Sequence, residues 1–182
     1  MTSSHPRDSA SRDRDSDGRA RNQRPRDCLG RPLPHGDDRE CRHQIPGFAS
    51  PGQAVRDSDA LLATGHPFHA HELLEDAWKA APEAEAQAWR ALAQLAVGVT
   101  HAARGNPAGA GRLLERAAAN LAGSLDAAGG IPPQLARERL DALRQWCLER
   151  AAELEADDHP EAREGAARWL IVPRLSVRGN EL

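Results

Sequence analysis

The stretch GHPFHAHELLEDAWKAA, residues 65–81, places three histidines within six residues, followed by two glutamates and an aspartate. His71 and Glu75 stand four residues apart, a spacing that stacks two side chains on one helix face. Such a pair supports three kinds of chemistry. A structural pair would bond His71 to a neighbouring helix and Glu75 to Lys79. A divalent metal site would combine His71, Glu75 and His101, with Glu72 nearby. An acid–base site would have Glu75 orient His71. The run HELLE lacks the second histidine of HExxH, so the zinc-protease mechanism does not follow. His66 and His69 fall at the entry to the helix and are expected at the turn and on the surface.

These residues need a helical frame, and the chain supplies one from residue 51 onward. Ser50 and Pro51 predict a cap and first turn, and Gly65 a turn after the first helix. The second helix is expected over 67–81, with Ala70, Leu73, Leu74, Ala77 and Trp78 as its apolar face. Pro82 restarts the chain into a third helix ending near Arg104. The triplet Gly105-Asn106-Pro107 stops one helix and caps the next. The fourth helix carries Ala110, Leu113, Leu114, Ala117, Leu121 and Leu125 in helical register. The fifth is expected from Pro132 to about Glu155, with Ala136, Leu140, Leu143, Cys147, Ala151 and Leu154 on one face. Cys147 reads there as a small buried apolar residue. Residues 167–175, ARWLIVPRL, read as a short apolar segment lying across the bundle and anchored by Trp169.

The third helix is apolar almost all round, which predicts a central position. Its polar exceptions, Arg90, Gln94 and His101, share one stripe. Together with His71, Glu72 and Glu75 they predict a polar seam between the second and third helices. Gly98 and Ala110 predict a close approach of the third and fourth helices. That pair follows the helix-pair pattern of a tetratricopeptide repeat, but only one such unit is present, so no repeat array is expected.

Composition narrows the classes further. The chain has 182 residues and a formal net charge of −3. That balance offers no electrostatic case for nucleic acid or an anionic membrane. No apolar run reaches the roughly 20 residues of a membrane span, and the first 27 residues do not read as a secretory signal. A cytoplasmic location is the default expectation. Residues 1–50 are rich in Arg, Asp, Ser and Pro without apolar periodicity and are expected to be disordered. The bundle is expected over 51–175, with a flexible end at 176–182. Cys28, His35, Cys41 and His43 suggest zinc, but their spacing matches no common finger. Three cysteines so far apart do not read as a disulfide framework.

The two segments GHPFHAHELLEDAW and WRALAQLAVGVTHAARGNPAGAGRLLERAAANL together resemble the domain-of-unknown-function family 309. The shared positions are Gly65, Phe68, Ala70, His71, Glu72, Glu75, Trp78, Gln94, His101, Gly105 and Asn106. Pro67 stands where the family has an aromatic residue, and His69 where it has a glutamate. The resemblance covers about residues 55–125 and implies a compact all-α bundle of five helices from bacteria, archaea or plastids. It implies no reaction. The expectation is a non-enzymatic binding module for a protein or small-molecule ligand, using the seam of His71, Glu72, Glu75, Gln94 and His101. The alternative is a metal-dependent or acid–base, hydrolase-like enzyme on His71, Glu75 and His101.

Overall fold

The computed structural model describes residues 24–42, 46–156 and 172–176. Over these residues the protein is an all-α bundle of five helices: α1 Pro51–Ala63, α2 Pro67–Ala80, α3 Glu83–Ala103, α4 Pro107–Asp126 and α5 Arg137–Ala156. Each helix packs against the next in sequence, α1–α2, α2–α3, α3–α4 and α4–α5, and the 127–136 turn joins α4 to α5.

The boundaries follow from local chemistry. The Ser50 hydroxyl caps α1 by accepting from the Gln53 N–H at 3.3 Å, with Pro51 in the first turn. Gly65 takes φ +78 after α1, and the His66 N–H returns to the Leu61 carbonyl at 2.8 Å. Gly105 takes φ +75 after α3, and the Asn106 N–H closes on His101 O at 2.9 Å. Both are left-handed C-terminal caps, which glycine enters without a Cβ clash. Helix α5 starts at Arg137, five residues later than expected. Pro133 drives Pro132 out of the helical region, so 132–136 form turns instead.

Helix α3 is the most enclosed: Trp89, Leu92, Leu95 and Ala96 are fully buried. A Cβ on Gly98 would lie 3.0 Å from the Leu114 side chain and 3.5 Å from Ala110 O. The missing side chain therefore sets the close α3–α4 approach. Cys147 is buried on α5 with Leu140, Leu143, Ala151 and Leu154, and burial pushes its thiol up to about 12.

Two segments outside the helices complete the packing. Leu175 is fully buried, and Asp59 on α1 accepts from the Leu175 N–H at 2.5 Å and the Ser176 N–H at 2.9 Å. Trp169, the expected anchor of that segment, lies outside the described residues, as does His43. Residues 24–42 fall within the stretch expected to lack structure. They form a turn closed by a Cys28–Cys41 disulfide, which corrects the reading that the cysteines do not pair. An isolated bridge joins Arg26 and Pro32, and the Cys41 N–H donates to Arg26 O at 2.8 Å. A crosslink constrains a polar loop too small to have its own core.

Candidate functional site

The loop 24–42 docks on the start of α2 through Phe68. Gly30, at φ +75, sits so close that an added Cβ would lie 2.3 Å from the Phe68 ring. The Arg26 and Arg104 guanidinium carbons each lie 5.7 Å from the ring centroid, within cation–π range. Arg104 at the end of α3 also donates from Nε to Leu29 O at 2.8 Å, and its Nη2 reaches the same oxygen. Asp27 organises the loop from within. Its carboxylate accepts from the Leu29 and Arg31 N–H groups at 3.0 and 2.8 Å. Partial burial raises the Asp27 carboxyl, but the bonds from Arg31 and Leu29 outweigh it and hold the group below its ordinary value.

Docking forms an open cavity of about 490 Å³ between the loop and the first turns of α2. Arg24, Arg26, His35 and Glu40 contribute from the loop, and Phe68, His69 and Glu72 from α2. His69 is buried. Its Nδ1 lies 3.0 Å from Glu72 Oε2, so in the neutral ring the proton sits on Nδ1 and Nε2 carries the lone pair. That Nε2 is buried without a hydrogen-bond partner among the described residues. A buried polar atom left unpaired is costly, and such atoms concentrate where a ligand completes them.

His69 was expected on the surface, and the structure corrects this. It lies one turn before Leu73, inside the edge of the buried face. The rest of its cover comes from a loop about 30 residues upstream, which helical periodicity does not reveal. The one local signal was a histidine at i−3 to Glu72 beside an aromatic residue.

The residues of the expected seam are divided among three places. On α2, His71 Nδ1 lies 3.1 Å from Phe68 O and Nε2 3.3 Å from Glu75 Oε2, while Glu75 Oε1 pairs with Lys79 at 3.2 Å. Arg90 stacks over Trp78 at 5.6 Å. Gln94 turns to α4 instead, accepting from Asn120 Nδ2 at 2.7 Å. His101 pairs with Asn106 across the α3–α4 turn, Nδ1 to Nδ2 at 3.0 Å. Because Asn106 Oδ1 accepts the Gly109 N–H at 2.9 Å, its amide N–H faces His101, whose Nδ1 must then be the acceptor. Burial lowers the His101 pKa, and the charges of Arg104 and Arg112 lower it further.

Among the described residues, one group of His, Cys, Asp or Glu side chains converges closely enough for a shared ion. It is Cys28, Cys41 and His66. His71, Glu75 and His101 do not converge in this way: the first two pair along α2, and His101 pairs with Asn106 at the α3–α4 turn. A second cavity of about 530 Å³ lies between α4 and α5. Three of its charged groups are engaged with protein: Arg144 pairs with Asp141 at 2.8 Å, and Arg137 donates to Leu125 O at 2.7 Å.

Residues 56–113 match the family model described as Domain of unknown function (DUF309). The matched region runs from α1 to the first turns of α4, so it contains His69, Glu72 and the residues of the expected seam, while the loop 24–42 lies outside it. No curated protein and no solved structure matches the chain.

Proposed function

We propose that this chain, whose residues 56–113 match the family model DUF309 with no reaction in its description, is a binding module for a small carboxylic acid bearing an O–H or N–H donor. The site is the cavity between the loop 24–42 and the start of α2. The observation that carries this reading is His69, which lines the cavity and whose buried Nε2 has no hydrogen-bond partner among the described residues. Glu72 holds the Nδ1 proton, so Nε2 accepts, and the group it accepts from must be a donor on the ligand. Arg24 is exposed at the cavity wall and supplies a cation for a carboxylate. Phe68 forms an apolar floor already fixed by Arg26 and Arg104.

This reading keeps the binding module expected from the sequence and moves its site. His71 and Glu75 are less suited, since both ring nitrogens of His71 already face oxygen acceptors. The test is a ligand-observed NMR screen of the full chain against small amino acids and 2-hydroxy acids. Members of this panel should bind, and His69→Phe, which fills the same space without an acceptor, should weaken binding by about tenfold, or ~1.4 kcal/mol. Equal binding by His69→Phe, with helicity intact, would exclude the site.

A further inference from the structure

We propose that Cys28, Cys41 and His66 form a zinc site when the disulfide is reduced. One sulfur from each cysteine and one ring nitrogen of His66 all lie within 4.8 Å of one another. Zinc bonds of about 2.3 Å to sulfur and 2.0–2.1 Å to nitrogen separate tetrahedral ligand atoms by about 3.3–3.8 Å. Small side-chain rotations therefore bring the three onto one ion. Two thiolates and an imidazole are a soft donor set that favours zinc over magnesium or calcium. Two thiolates also neutralise the ion, which suits ligands that are all partly buried.

The backbone already brings these groups together. The Arg26–Pro32 bridge and the Cys41 N–H to Arg26 O bond hold the two cysteines of the loop side by side. The Asp27 turn, with Gly30 at its end, shapes the chain around Cys28. His66 is fixed at the α1–α2 turn, and its tautomer can be read from its neighbour. The Thr64 hydroxyl donates to Ala60 O at 2.8 Å, so Thr64 Oγ1 accepts from the His66 Nδ1 N–H at 3.0 Å. The lone pair then lies on Nε2, the form in which an imidazole binds metal, with its other nitrogen held by a hydrogen bond.

The chemistry balances with a dithiol reductant. The reductant passes two electrons and two protons to the Cys28–Cys41 bond and leaves as its own disulfide. Zinc binding to the two thiols then releases two protons to solvent, and a water or other ligand completes the fourth position. The loop is thus constrained in either state, by a crosslink within itself when oxidised and by a metal bond to His66 of the bundle when metallated.

The test reduces the full chain anaerobically, titrates it with Co²⁺ and displaces the cobalt with Zn²⁺. About one equivalent should bind, with thiolate-to-cobalt absorption. The Cys28→Ser/Cys41→Ser double variant, which retains Cys147, should lose that absorption while its helical circular dichroism persists. Thr64→Val should weaken binding by about tenfold through the freed imidazole. If reduction loosens the loop, zinc should restore amide protection over 24–42. Reduced protein that binds neither ion, or a double variant that binds as well as the native chain, would overturn the proposal. A His66→Ala chain with an unchanged cobalt spectrum would remove His66 from the site.

Discussion

Arg104 and Leu29 lie 75 residues apart in sequence, and the Arg104 guanidinium clasps the Leu29 carbonyl, with Nε at 2.8 Å. This bond joins the last turn of α3 to the disulfide loop, and the cavity that holds His69 exists only while the two are joined. Arg104→Ala should therefore undock the loop and leave the bundle folded. Hydrogen exchange over 24–42 should rise, with a global loss of only about 1–2 kcal/mol. Unchanged protection in the loop would show that Phe68 and Gly30 hold it unaided.

Acid should weaken the α3–α4 turn through His101. Its folded pKa lies below the ordinary 6.5 because of burial and the nearby Arg104 and Arg112 charges. For a lowered pKa the stabilisation is complete above the unfolded value and is lost as pH falls through the folded value. A proton on Nδ1 would also face the Asn106 amide N–H. The melting temperature of the native chain should fall below pH 6.5 more steeply than that of His101→Gln. Parallel curves for the two proteins would contradict this.

Asp59 ties the segment around Leu175 to α1 with two backbone hydrogen bonds to one carboxylate. Asp59→Ala should cost about 1.5–3 kcal/mol, since bonds to a charged acceptor exceed the neutral average. Urea unfolding measures it. A loss under about 0.5 kcal/mol, the level of an ordinary surface change, would mean that Leu175 is held by packing alone.

Much of this architecture is legible from local pattern. Ser50, Pro51, Gly65, Gly105 and Asn106 mark helix ends through caps and left-handed turns, which are short-range devices. The α4 and α5 stripes are legible because helical period alone sorts buried from exposed positions. Gly98 reads correctly as the point of close helix approach. The site is less legible. His71, Gln94 and His101 share faces in a helical projection, yet each takes its nearest partner: Glu75, Asn120 and Asn106. Projection shows which way a side chain leaves its helix, not which neighbour is within reach. His69 and the cysteines depend on contacts between the loop and α2 that no periodic signal encodes.

The most direct measurement of the central claim is the imidazole ¹⁵N spectrum of the full chain, recorded while the tightest-binding amino or 2-hydroxy acid of the panel is added. His69 Nε2 should shift with saturation as it gains a donor, while the His101 nitrogens, held at the α3–α4 turn by Asn106, stay in place. Saturable binding that leaves His69 Nε2 unmoved, or a panel from which nothing binds, would contradict the account.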